Sequence, residues 1–397
     1  MDGTLADGVV RVGGDARQRF YDARGYGRPL DRNRIELAPV EAAHLLSRGD
    51  LDAVVDESAT AGGAAAGSDA DGPHRLDFRE YLVRTGATLH FAVYKDLRDR
   101  GFYLSPAREA WPGVAGDVAN DVDFVVYPRG NGPWDQKVAH RVRVAGEREA
   151  IRADSLGGVV LAIVDEDGEL TYFETVSDPA VGSEADAATE NETSTPDDEA
   201  TTGTDDATTM AADDTGVGSD TEAGLPSAVD ADLLGDRVVC YGASEALYER
   251  RFYGQRLFGR NADSGPLQLS LVEGAYLAQR GAVDADPAAV VALGREVEGE
   301  RFDRRLRAYA ALRDRGVVPK SGFKFGADFR VYDEFTGVED LSHSTDLVRV
   351  VAPDHVFYPR DLSLDVRLAG GVRKRMVFAL TAANGEIDWL SVARLTL

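Results

Sequence analysis

Three stretches near the end of this 397-residue chain hold side chains suited to moving protons and steadying negative charge. The first is Lys324-Phe325-Gly326-Ala327-Asp328-Phe329-Arg330-Val331-Tyr332. The second is Leu341-Ser342-His343-Ser344, with its histidine eleven residues after Tyr332. The third is Val366-Arg367-Leu368-Ala369-Gly370-Gly371-Val372-Arg373-Lys374-Arg375. A histidine changes charge near neutral pH and suits proton transfer. A run of cations suits an anion that develops during reaction. Each residue type also has a plain reading: a strand tyrosine packs, a loop histidine is solvated, and a basic run is a wet surface. Asp328, Asp333 and Glu334 near Lys324 could also be drawn as a metal-dependent nuclease site. Those acids alternate across a strand and turn, which fits a surface role. His355 is read as structural.

The elements that must hold these residues occur twice. Leu97-Arg98-Asp99-Arg100-Gly101 recurs as Leu312-Arg313-Asp314-Arg315-Gly316, and Tyr26-Gly27 recurs as Tyr253-Gly254. Glu41 and Arg48-Gly49 answer Glu273 and Arg280-Gly281, and Gly168-Glu169-Leu170 answers Gly385-Glu386-Ile387. The chain is therefore a tandem duplication. Each half reads as a small α/β unit followed by a mixed-β unit with helices, an α/β (α+β) class. In the second half, Arg237 to Tyr241 and Ala246 to Tyr253 read as a strand pair. A helix is expected over Ser270 to Arg280, opened by a capping box of Ser270 and Glu273 and stopped by Gly281. A longer helix is expected from Asp286 to Arg315, with a break near Gly299. Alternation then marks strands at Asp328–Asp333, Leu347–Ala352, Leu364–Leu368, Arg375–Thr381 and Ile387–Leu395.

The halves are not equal in polar residues. Setting Gly168-Glu169-Leu170 against Gly385-Glu386-Ile387 places Gly157 opposite Lys374. Phe124-Val125-Val126-Tyr127 echoes Phe329-Arg330-Val331-Tyr332, but no histidine follows Tyr127 by eleven residues. His140 falls opposite Asp346. The first half is expected to be a structural copy without chemistry.

Composition narrows the class further. The net charge is -25, and residues 178–228 hold 14 acidic side chains with no lysine or arginine, so the remainder still carries -11. Acidic surfaces keep proteins soluble in concentrated salt, so a salt-loving source is expected. A long-range positive field for nucleic acid is absent, so any RNA contact must be local, and DNA is not expected as a partner. The acidic stretch 178–232 should be a disordered linker, and Thr60 to Pro73 a smaller low-complexity insertion. Cys240 is the only cysteine, which fits a reducing cytoplasm, and the six scattered histidines do not suggest a zinc site. No run suits a membrane helix, and the residues from Met1 to Gly14 lack a signal-peptide pattern.

The Phe-Gly-x-x-Phe-x-Val-Tyr strand, the Ser-His-Ser that follows and the Arg-Lys after Val-Arg-Leu-Ala together resemble the catalytic half of the archaeal tRNA-splicing endonucleases. The resemblance covers both repeats and their order. It implies that Tyr332, His343 and Lys374 form the active site, as base, acid and electrostatic stabiliser. It implies cleavage by the RNA's own 2′-hydroxyl, with no metal and no cofactor. A phenol is a poor base near neutrality, and Lys374 with Arg373 and Arg375 would have to favour its anion. The resemblance also implies a clamp on a bulged base, carried here by Arg367 and Trp389, a pairing that stacking and cation–π attraction can support. It further implies a homodimer acting on a bulge-helix-bulge in precursor tRNA, with Ile387 to Leu395 a candidate for pairing across the interface. The expected division is 1–177 for the inactive repeat, 178–232 for the linker, 233–285 for a second N-terminal unit and 286–397 for the nuclease domain. The competing reading is a non-catalytic RNA-binding or structural subunit.

Overall fold

The computed structural model describes residues 1–57, 74–114, 121–182, 224–242, 245–259, 262, 264–333, 335, 337–338 and 343–397. The chain divides into two compact units. One comprises Met1–Asp178, Asp354–Gly370 and Leu390–Leu397; the other comprises Pro179–Pro353 and Gly371–Trp389. Two stretches of the second repeat, Asp354–Gly370 and Leu390–Leu397, thus belong to the first unit. The low-complexity insertion and most of the acidic linker lie outside the described residues.

In the first unit, the opening sheet runs Arg28–Pro29, Ile35–Leu37, Val9–Val12, Asp2–Ala6, Ala53–Asp56, His74–Leu76. Helix Pro39–Ser47 follows it in the chain, then Phe78–Thr85 and Thr88–Asp99. The strands Leu104–Pro106, Phe124–Val126, His140–Gly146, Val160–Val164 and Leu170–Ser177 complete the repeat. The C-terminal strand was a candidate for an intermolecular edge. Instead, Leu390–Leu395 pairs antiparallel with Tyr172–Ser177 of the same chain, which fills that edge.

The second unit repeats the plan. Its small sheet runs Gln255–Arg256, Leu267–Ser270, Arg237–Cys240, Val229–Leu233, Val283–Asp284. The capping box forms as expected: Ser270 Oγ accepts from the Glu273 amide at 3.2 Å, and Glu273 accepts from the Ser270 amide at 3.1 Å. It opens helix Leu271–Gln279. The long helix splits into Pro287–Glu298 and Glu300–Asp314 around Gly299, whose φ of 62° suits glycine. Strands Val318–Ser321, Phe329–Tyr332, Asp346–Val351 and Arg375–Thr381 follow.

Three expectations are corrected here. Leu364–Leu368 is not a strand but part of helix Pro359–Gly371. Leu362, Val366 and Ala369 are buried at helical spacing, whereas Leu364 and Leu368 are exposed. Ala246 to Tyr253 is not a strand either, since Glu245–Glu249 forms a single π-helical turn with Leu247 and Tyr248 inward. The strand beside Arg237–Cys240 is instead Val229–Leu233, drawn from the tail of the acidic linker. The other end of that linker is also placed, with Val181 in the core and the Gly182 amide on Asp346 at 2.7 Å.

The repeated pentapeptide has a structural cause. Leu97 and Leu312 are fully buried. Arg98 lies 3.9 Å from the Tyr26 ring centre and donates to the Arg24 carbonyl at 2.8 Å. Arg313 lies 3.9 Å from the Tyr253 ring centre and donates to the Arg251 carbonyl at 3.0 Å. Each arginine so fastens a helix of its repeat to that repeat's opening segment.

Glu273 ties the same two parts by charge. It takes the Lys320 ammonium at 2.8 Å and the Gly254 amide at 3.0 Å, with both side chains buried. Burial pushes its carboxyl up, but Lys320 and the amides outweigh this and leave it below the ordinary value. Glu273→Ala should cost about 3–5 kcal/mol, because Lys320 is left charged and buried. Urea unfolding at fixed salt checks this; a loss under about 1 kcal/mol, the range of a surface pair, would contradict it.

Candidate active site

Sheet register gathers the three candidate residues. Tyr332 ends its strand, and its neighbour Val331 sits opposite Asp346, the first residue of the next strand. That strand runs parallel to Arg375–Thr381, with Asp346 opposite Arg375. Tyr332, the loop just before Asp346 and Lys374 just before Arg375 therefore occupy one end of three adjacent strands. Backbone bonds fix that end: the Thr345 amide reaches the Val331 carbonyl at 2.9 Å, and the Arg375 amide the Thr345 carbonyl at 3.1 Å. Asp346 is buried and takes the Arg375 guanidinium through two bonds, at 2.8 and 3.1 Å. Arg375 is thus a structural cation, and Lys374 is left without a carboxylate partner among the described residues.

The three residues differ in how free they are. Lys374 is half-buried and donates to the Ser344 carbonyl, the residue after His343. Burial, and after it the Arg330 guanidinium, pushes its ammonium below the ordinary lysine value, with Asp346 opposing. Arg373 before it has a left-handed φ of 55°, the turn that swings the chain into the strand. His343 is exposed, and no protein partner of its ring is present among the described residues. Tyr332 has a buried ring, with the Phe252 edge at 5.9 Å and Arg330 at 5.6 Å from its centre. Its hydroxyl takes no hydrogen-bond partner among the described residues, yet it is not among the fully buried polar atoms that lack one.

The first repeat shows what the same frame does without these groups. Val126 pairs with His140 there as Val331 pairs with Asp346, so His140 occupies the Asp346 position. Val160 pairs with Val142 as Val377 pairs with Val348, which sets Gly157 at the Lys374 position. Gly157 has φ 110°, and a Cβ there would stand 1.9 Å from Ser177 Oγ. The copy has no room for a lysine. Tyr127 is buried with its hydroxyl on Ser105 Oγ at 2.8 Å and the Pro112 carbonyl at 2.7 Å, and burial pushes it up to about 12. It is pinned as a core phenol.

The remaining candidates fall as follows. Arg367 is exposed on helix Pro359–Gly371, which lies in the first unit up to Gly370. Trp389 is buried in the second unit, with Arg315 4.4 Å from its ring centre. An Arg–Trp stack exists there, made with Arg315. Asp328 is buried, holds Arg301 at 2.6 Å and Arg305 at 3.0 Å, and accepts the Val350 amide at 2.9 Å. Asp123 takes the Val144 amide in the same way in the first repeat, so this carboxylate is a strand brace. Glu334 lies outside the described residues, and no group of three potential metal-ligating side chains occurs among those described. The His355 carbonyl accepts the Ala153 amide at 2.9 Å, a backbone role.

Comparison with known proteins fits this geometry. The family model for the tRNA intron endonuclease catalytic C-terminal domain matches residues 302–389, and the model for its N-terminal domain matches 1–62 and 229–289. The tRNA-splicing endonuclease of Haloferax volcanii is 61% identical over 396 residues, covering 100% of both chains. That of Haloarcula marismortui is 50% identical over 400 residues at the same coverage. That of Methanosarcina mazei is 33% identical, covering 98% of this chain and 97% of its own.

The chain belongs to the tRNA-splicing endonuclease family.

As a tRNA-splicing endonuclease it is an endoribonuclease, and the catalytic-domain match contains Tyr332, His343 and Lys374. The second N-terminal match begins at 229, where strand Val229–Leu233 begins. Relatives of this acidic chain include proteins of the halophiles Haloferax volcanii and Haloarcula marismortui. No helix among the described residues is long and apolar enough to cross a membrane. Sequence reading missed Arg330, Asp346 and Ser344 as neighbours of the site. Arg330 was open to detection, because the register sets Val125 opposite it in the first repeat.

Proposed function

We propose that this endonuclease excises introns from precursor tRNA by two cuts at a bulge-helix-bulge, without a metal. The 2′-hydroxyl gives its proton to the phenolate oxygen of Tyr332 as the 2′-oxygen attacks the adjacent phosphorus. The bond from phosphorus to the 5′-oxygen breaks, and His343 supplies the proton that oxygen needs. Lys374 offsets the charge on the phosphorane. The products carry a 2′,3′-cyclic phosphate and a 5′-hydroxyl. The observation that carries this reading is the meeting of a free phenol, an exposed histidine and an ammonium without a carboxylate at one sheet end, where the duplicate has Gly157. The same observation weighs against a purely RNA-binding subunit, which would need no such contrast between repeats.

In this reading the first repeat is structural, two chains form a homodimer with two sites, and the enzyme works in the cytoplasm. Recognition is by RNA shape. Arg367, which is exposed, and Trp389 are each proposed as contacts to a bulged base.

Phosphate contacts weaken steeply with salt, so an enzyme of this acidity should rest on stacking and shape. Cleavage of a bulge-helix-bulge RNA should persist in about molar salt with a chelator present. Loss of cleavage at a few tenths molar with the protein folded would contradict the salt argument. Revival by magnesium alone would contradict the metal-free mechanism.

A further inference from the structure

Beside the candidate site the second unit holds a cleft of about 420 Å³. Arg237, Gln255, Gln268, Ser270, Lys320 and Arg330 are among its walls. Most of its cations are spent. Arg237 is held by Asp236 at 2.6 Å, Arg305 by Asp328 at 3.0 Å, and Lys320 by Glu273 at 2.8 Å. Arg330 has no carboxylate partner among the described residues, and its Nε–H is buried without an acceptor. A half-buried guanidinium in that state is costly unless an anion completes it. Its plane is fixed near the Tyr332 ring, and its field reaches Lys374. The first repeat has Val125 at this position and Ser105 where Lys320 stands, so the frame does not require the charge.

We propose that Arg330 is a substrate-contacting residue: its guanidinium takes the nonbridging oxygens of an RNA phosphodiester where the strand passes from the Tyr332–Lys374 end of the sheet into this cleft. Guanidinium suits that task, since its planar fork matches two phosphate oxygens. The inference deepens the function proposed above and rests on it.

The probe is a bulge-helix-bulge RNA with 2′-deoxyribose at both cut positions, which removes the nucleophile and leaves binding to be measured. Arg330→Val copies the residue that the first repeat tolerates. It should raise Kd about tenfold or more. It should also flatten the plot of log affinity against log salt by about one contact, roughly 0.7–0.9 in slope. Arg330→Lys should keep the slope and part of the affinity. Arg237→Ala, whose cation is already spent, should change neither. Unchanged affinity and slope in Arg330→Val, with the variant folded by circular dichroism, would overturn the Arg330 assignment alone. Should Arg330→Val not fold, Arg330→Lys against Arg330→Gln decides: tighter binding and a steeper salt slope with Lys than with Gln support the phosphate contact, and equal binding by the two overturns it. Failure of the wild-type protein to bind the probe would instead strike the proposed function.

Discussion

Replacing Lys374 by alanine should lower the single-turnover cleavage rate about 10²–10³-fold while leaving the melting temperature nearly unchanged. The reason lies in how its charge is used. Asp346, the buried carboxylate whose charge reaches Lys374, is committed to Arg375 through two hydrogen bonds. Among the described residues Lys374 donates to the Ser344 carbonyl, which occupies one of three N–H donors. The other two are available to a phosphate. Because burial and Arg330 hold this ammonium below the ordinary lysine value, the charge is present at low pH and is lost as pH rises through that lowered value. The rate should therefore fall on the alkaline side before free lysine would titrate. Lys374→Arg should recover only part of the rate, since a planar fork does not replace a compact point charge. An alanine variant that cuts within a few-fold of wild type would remove Lys374 from the chemistry.

Replacing His343 by alanine should cost about 10²–10⁴-fold, the range for a positioned proton donor. Its loop is anchored by the backbone bonds of Thr345, yet the ring is exposed, so the loss should be kinetic and not structural. An RNA with sulfur in place of the bridging 5′-oxygen at the cut isolates the role. A thiolate leaves without a proton, so this substrate should restore most of the rate to His343→Ala and none to Lys374→Ala. A deficit that persists with the sulfur substrate would mean that His343 does something other than protonate the leaving group.

Periodicity made much of the nuclease unit legible. Arg375–Thr381 is an apolar run buried almost throughout and is a strand with the expected bounds, as is Ile387–Leu395. Ser270 with Glu273, and Gly299 between two helices, carry local signals that tertiary packing does not override. Leu364, Val366 and Leu368 misled because two superimposed spacings run through that stretch, and only burial tells which one faces the core. Val229–Leu233 was hidden by composition, since its acids point outward at the end of a long acidic run. Within the site, the family resemblance carried by the three motifs pointed to Tyr332, His343 and Lys374. The reason Tyr332 and Lys374 differ from Tyr127 and Gly157 is geometric: a hydroxyl pinned by two bonds and a glycine against Ser177 have no sequence pattern. Arg330 and Asp346 were missed for a related reason. A charge has meaning only with its partners: Asp346 is paired with Arg375, while Arg330 has no carboxylate partner among the described residues.

The most direct test of the account is to identify the ends left when the protein cuts a bulge-helix-bulge RNA. Paired cuts that leave 2′,3′-cyclic phosphate and 5′-hydroxyl ends are the predicted result. Ends with 3′-hydroxyl and 5′-phosphate would show that water or a metal-bound hydroxide was the nucleophile, and the roles given to Tyr332, His343 and Lys374 would fall with it.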